Sequence, residues 1–168
     1  MKLENYHLIG EEKIISPALI YYRDAIIENT KRTIELAGGA DRLWYHVKTH
    51  KTRELVKMQM EMGFTHFMCA TISEAEMAAS VGAENVLIAY ALVGPNIDRF
   101  VELTLGMPGT QFWAFGDDYD TLSMLSAAAK EKGIMIPVLL DVNVGQDRTG
   151  VPLDQTADYY EKCSKLPN

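Results

Sequence analysis

The sequence predicts an α/β protein with about five βα units of parallel sheet preceded by an N-terminal strand and helix, wound either as a doubly wound sheet or as a partial (β/α)8 TIM-type barrel. Three observations carry that expectation. Short apolar runs alternate with helical patterns at a period of roughly 20–27 residues, the spacing of βαβ units. The runs are continuously apolar rather than alternating, as parallel strands covered on both faces are. No GxGxxG follows the first strand, which weakens a doubly wound dinucleotide fold.

Residues 1–15 read as an irregular arm. Ser16-Pro17 introduces a short apolar strand over 18–22, at whose start a proline is tolerated. Asp24 is placed to cap a helix that carries Ile26, Ile27, Thr30 and Ile34 and ends at Gly38-Gly39. A strand is expected over 43–47. The helix over 52–62 has Leu55, Met58 and Met62 at helical spacing and stops at Gly63. A strand over 64–70 leads into a helix that Ser73 and Glu76 would cap as a box and Gly82 would stop. A strand over 86–91 precedes a helix opened by Pro95 and ending near Gly106. The strand over 111–115 is followed by Asp117-Asp118 and a helix rich in Leu and Ala, ended by Gly133. The last strand is expected over 136–140, and Asp154 would cap a final helix to about Ser164.

Composition narrows the function. At 168 residues, 48% apolar and 23% charged, the chain has the make-up of a soluble globular domain. A net charge of −7 argues against a nucleic-acid partner. The first residues lack an apolar signal core, and no stretch approaches about 18 consecutive apolar residues, so no membrane span is expected. Cys69 and Cys163 form no CxxC, and a cytoplasmic location with both thiols reduced is expected.

Functional residues of parallel α/β sheets gather at the carboxyl ends of the strands. Those ends carry Lys48 with His50, Thr71 with Glu74, Gly94 with Asn96, Asp117 with Asp118, and Asp141 with Asn143 and Arg148. A lysine ending a buried strand is expensive unless it has a task, and its amine can form a Schiff base with a carbonyl. Partial burial and the positive charge of Lys51 nearby are expected to favour the unprotonated amine. The plainer alternative is a lysine whose stem packs while its head reaches water. Thr71, Glu74, Asp117 and Asp118 read first as helix caps, Met58, Met60 and Met62 as core filler, and Cys69 as an inert strand residue. His46 and His50 divide between hydrogen bonding near a ligand and simple packing. Neither has metal-ligand spacing with an acid, so no metal ligands are expected in this chain.

Four segments, in this order, resemble one family: Ser16-Pro17-Ala18-Leu19; His46-Val47-Lys48-Thr49-His50-Lys51; Cys69-Ala70-Thr71 with Glu74-Ala75-Glu76; and Asp141-Val142-Asn143-Val144-Gly145 with Arg148-Thr149-Gly150. They look like the N-terminal half of fold-type III pyridoxal phosphate enzymes, the D-threonine aldolase and D-serine dehydratase group that shares its barrel with alanine racemase. The likeness covers about residues 16–168. Tyr45 stands where the family commonly has proline.

The resemblance implies that Lys48 carries pyridoxal 5'-phosphate as a Schiff base and later acts as a base. It implies that Arg148 points at the phenolate oxygen of the cofactor ring, with His46 and Asn143 as further cofactor contacts. Residues 1–22 would be an arm and strand of a second β domain, and 23–168 part of the barrel. The family's chain is about twice this length, and its remaining strands, most phosphate ligands and the ligands of an expected divalent metal fall in the other half. The implied activity is retro-aldol cleavage of a small D-β-hydroxy amino acid to glycine and an aldehyde. D-serine dehydration, racemisation, cofactor binding without catalysis, and an inactive fragment are the alternatives. An open sheet edge leads us to expect a homo-oligomer.

Overall fold

The computed structural model describes residues 8–168. Residues 1–7 of the expected arm lie outside the described residues. The chain divides into two compact units, Met1–Gly39 and Ala40–Asn168.

In the first unit, helix α1 (Arg23–Ala37) ends in Gly38, which adopts the left-handed conformation at φ 77°. The Gly38 and Gly39 amides donate to the carbonyls of Glu35 and Ile34, closing the helix as the glycine pair predicts. Asp24 does not cap it. Tyr22 occupies the cap position, and Asp24 sits inside the first turn, where its charge still suits the helix dipole. Nor is there a strand over 18–22. An apolar run becomes a strand only where a neighbour completes a ladder, and here Leu19 stands 77% exposed.

The second unit is a five-stranded sheet: β1 (Tyr45–His46), β2 (His66–Cys69), β3 (Asn85–Ile88), β4 (Gln111–Gly116) and β5 (Val138–Leu140). All neighbours are parallel, and the spatial order is the sequence order. A doubly wound sheet reverses direction at a switch point; this one never does, which is the winding of a barrel. The connecting helices are α2 (Arg53–Glu61), α3 (Ile72–Ala79), α4 (Pro95–Gly106) and α5 (Tyr119–Lys132). Pro95 opens α4 and Gly133, at φ 68°, ends α5, as expected.

Register fixes the two faces. Phe67, Val86 and Phe112 are paired across β2, β3 and β4, and all three are fully buried. Phe100 of α4 meets Phe112 edge-on at 6.1 Å, so this is the helix-covered face. The opposite face carries His46, Met68 and Leu87 in register, then Trp113 beside Leu87. The sequence pattern implied cover on both faces throughout. Cover thins at β5 instead, where Val138 and Leu139 are 41% and 38% exposed.

Three local expectations change. β1 is only two residues long because Val47 already turns into a 3-10 helix (Val47–Thr49). Helix α3 is capped by Thr71 and not by Ser73: the Glu74 amide donates to Thr71 Oγ1 at 3.2 Å. The last helix, α6 (Thr156–Cys163), follows a 3-10 turn over Leu153–Gln155, so Asp154 lies in that turn and not at a helix cap. Two further strands, β6 (Val142–Asn143) and β7 (Val151–Pro152), pair in parallel beyond β5.

Candidate functional site

The end of β1 builds the first wall. Val47 is fully buried, and its carbonyl accepts from the amides of His50 (3.1 Å) and Lys51 (2.8 Å), so the chain curls immediately after the strand. His46 caps this turn: its Nδ1 accepts from the Lys48 amide at 3.3 Å. The neutral ring therefore carries its proton on Nε2. His50 turns back in the same way, its Nδ1 accepting from the Thr52 amide at 3.0 Å. Lys51 adopts a left-handed backbone at φ 49°, and its Nζ donates to Glu74 Oε1 at 2.7 Å. Lys48 itself is exposed, not partly buried. It lies in the middle of the 3-10 turn that ends β1.

The segment after β5 builds the facing wall. Asn143 Oδ1 accepts from the amides of Gly145 (2.9 Å) and Asp147 (3.2 Å), and its Nδ2 donates to Asp147 Oδ1 at 3.0 Å. The Gly150 amide donates to Asp117 Oδ2 at 2.7 Å. Gly150 sits at φ 103°, and a Cβ there would lie 2.5 Å from the Asn143 nitrogen, so only glycine fits. Arg148 projects from this loop and is exposed. The two aspartates after β4 thus divide their work. Asp118 is the helix cap, accepting from the Thr121 amide at 2.7 Å, while Asp117 ties the Arg148 loop to β4.

A cavity of about 400 Å³ lies between the walls. His46, Lys48, Asn143 and Arg148, all four of the site residues the sequence singled out, line it together, with Tyr90, Phe115 and Asp141 among the others. Asn143 lines the cavity, but its amide is committed to the loop. Asp141 was one of several polar residues at the rim; its Oδ2 is buried and has no hydrogen-bond partner among the described residues. Glu74 takes part in the predicted cap, its amide donating to Thr71, and its carboxylate, the counter-ion of Lys51, is in addition buried. The signal for that was present, since Glu74 shares the inward stripe of α3 with Ala75 and Ala78.

The electrostatics follow from burial and these contacts. Burial lowers the His46 imidazole below its ordinary value and Lys48 adds to the shift, while Glu74 and the Met68 backbone pull the other way without prevailing. Burial likewise lowers His50, against Glu74. Burial alone would raise Glu74, but hydrogen bonds from Lys51 and the Ala70 amide, with the charges of Lys51 and His46, hold it below the carboxylate range. Cys69 is pushed up to about 12 by burial and by Glu74, so its thiol is inert as expected.

The donor set fits a flat anionic cofactor with a carbonyl. It offers an amine, a guanidinium and an imidazole, beside one acceptor, the buried Asp141 oxygen. Among the described residues, no three His, Cys, Asp or Glu side chains come together in a way that could hold a metal ion. Among the same residues, no helix is long and apolar enough to cross a membrane.

The sequence profile of one family, described as the N-terminal domain of alanine racemase, matches residues 22–168. A 3-hydroxy-D-aspartate aldolase of Paracoccus denitrificans is 31% identical over 146 residues, which is 85% of this chain and 37% of that protein. The crystal structure of a D-threonine aldolase from Filomicrobium marinum superposes with a TM-score of 0.81 at 30% identity, over 90% of this chain and 41% of the other. A D-threo-3-hydroxyaspartate dehydratase from Delftia sp. HT23 has the same fold, with a TM-score of 0.78 at 21% identity, over 90% of this chain and 41% of its own. The chain spans about two fifths of the length of the relatives it matches.

Proposed function

The chain belongs to the family of the alanine racemase N-terminal domain, and on that footing we propose that it is the cofactor-bearing part of a pyridoxal-phosphate lyase for D-β-hydroxy amino acids. The observation that carries the reading is the convergence of His46, Lys48, Asn143 and Arg148 on one cavity at the carboxyl ends of the strands. In this reading residues 23–168 form part of the barrel, and the protein works in the cytosol with Cys69 and Cys163 as free thiols.

Lys48 would hold the cofactor covalently through its amine, and Arg148 would hold the ring's phenolate oxygen by charge. His46 and Asn143 shape the wall between them. When bound, pyridoxal phosphate supplies the electron sink for charge developing at the substrate's Cα. The chain's own groups do the rest. Once substrate has taken its place on the cofactor, the freed Lys48 Nζ would give Cα the proton that replaces the broken Cα–Cβ bond, while the β-hydroxyl loses its proton to solvent as the aldehyde forms. His46 lines the wall with its imidazole lowered by burial and its Nδ1 taken by the Lys48 amide. The reaction proposed is cleavage of the Cα–Cβ bond of a D-threonine-like substrate to glycine and an aldehyde, with a divalent metal held outside these residues. The names of the Paracoccus and Filomicrobium relatives, both aldolases, favour cleavage over dehydration.

The test is the absorbance of the chain after adding pyridoxal phosphate, followed by borohydride and peptide mapping. Label on Lys48 that disappears in Lys48→Ala supports the reading; label elsewhere or nowhere removes it. A second reading, cofactor binding without turnover, rests on the same cavity, whose amine and guanidinium suffice to hold the cofactor. Glycine released from D-threonine with added divalent metal separates the two.

A further inference from the structure

The catalytic lysine sits on a turn of only three residues, Val47–Thr49, and is exposed. Something must fix its position, since an amine displaced by about 1 Å can lose about a hundredfold in rate. Before Lys48, buried Val47 and the His46 ring secure the turn. After it, the anchor is Lys51.

The Lys51 anchor has three unusual features. Its backbone is left-handed at φ 49°, a conformation a side chain with Cβ adopts only when its surroundings demand it. Its Nζ reaches a carboxylate 23 residues away in sequence at 2.7 Å. That carboxylate is buried: the Glu74 side chain is 5% exposed, against 62% for Lys51. Glu74 is itself held at both ends, its Oε2 accepting from the Ala70 amide at 2.8 Å and its own amide donating to Thr71. One carboxylate therefore joins the turn after β1 to the loop after β2, and its charge also reaches His46.

We propose that Lys51 and Glu74 are positioning residues for Lys48: their ion pair clamps the turn and sets where its amine stands in the cavity. The inference rests on the cofactor role assigned to Lys48. It differs from a plain surface ion pair, which contributes little, because one partner is buried and would be left unpaired. It also gives the HxKTHK segment a division of labour, with the first lysine for chemistry and the second for placement.

The experiment compares the 168-residue chain with Glu74→Gln, Lys51→Met and Lys51→Arg, all checked for native circular dichroism. In the apo chain, amide exchange at His50 and Lys51, whose N–H groups bond Val47, should quicken about tenfold in Glu74→Gln and Lys51→Met. It should return toward wild type in Lys51→Arg. The His46 imidazole, followed by NMR, should titrate lower in Glu74→Gln, because a group that raises it has gone. With pyridoxal phosphate and borohydride, label at Lys48 should form about tenfold more slowly in the two disrupting variants and spread to other lysines. Unchanged exchange in folded Glu74→Gln and Lys51→Met overturns the clamp, whatever the cofactor does. Wild-type label at Lys48 that forms equally fast in the variants overturns the positioning role and leaves the proposed function standing. Wild-type chain that takes no label at Lys48 removes the proposed function, while the exchange data still decide whether the clamp exists.

Discussion

Lys48 and Arg148 line the same cavity, yet the two segments that present them are held by different forces. The Lys48 turn is held largely by ionisable side chains: His46 and His50 accept backbone amides, and Lys51 is paired with Glu74. The Arg148 loop is held by its backbone, whose amides at Gly145, Asp147 and Gly150 are claimed by Asn143 and Asp117. The first segment should yield to neutralisation and to acid. The second should yield to an added methyl or a lost acceptor.

The largest effect expected is chemical. Lys48→Ala should abolish borohydride-fixed cofactor label, whereas Arg148→Ala should keep the label and weaken cofactor binding about tenfold, the scale of one charge-assisted hydrogen bond. Equal loss in both would erase the distinction between covalent and ionic holding; mass spectrometry and an absorbance titration decide it. Next in size is Gly150→Ala. The new Cβ meets the backbone of Asn143 at 2.5 Å and must accept φ 103°, so a destabilisation of about 1–3 kcal/mol is expected in urea unfolding. A change under about 0.5 kcal/mol would mean that the loop gives way freely.

Asp117→Ala should be milder. It removes the acceptor of the Gly150 amide and should cost about 1–2 kcal/mol, with exchange at that amide quickened and α5 unaffected because its cap is Asp118. The smallest effect is the pH response of the Lys48 turn. The native imidazoles of His46 and His50 lie below the ordinary value of about 6.5, so the unfolded chain binds protons first. Their contribution to stability is complete above that value and is lost as pH falls toward their lower native values. Glu74 is also lowered, so its contribution is complete above the ordinary glutamate value of about 4.3 and is lost as pH falls through the native one. Urea midpoints followed from neutral pH down to about pH 2 for wild type and Glu74→Gln should differ above about 4.3 and converge only below it. A gap that widened in acid would reverse the sign and refute the pairing.

The comparison also separates what the sequence discloses from what it conceals. That Lys48 and Arg148 share one rim was legible because both follow apolar runs read as strands, while the roles proposed for them rest on the family resemblance. The parallel sheet was legible because five apolar runs recur between helical patterns. Contacts across long separations were not. Nothing near Asp117 announces that it holds Gly150, 33 residues on, because that depends on how the loop after β5 folds back over the end of β4. The Thr71 and Glu74 cap was legible and forms as read, but the partner of the Glu74 carboxylate was not, because Lys51 lies 23 residues away. The strand expected over 18–22 failed for a related reason: apolar character states a preference, and a ladder partner decides. β6 and β7, at two residues each, are too short to leave a periodic trace.

The uninterrupted strand order has a consequence for how the molecule comes into being. Each strand needs only its immediate predecessor as a template, so most of the sheet's pairing closes loops of moderate length and no late segment has to thread between earlier ones. A ribosome releasing this chain from its amino end delivers each βα unit to a margin that is already formed. Assembly can thus keep pace with translation, one unit at a time.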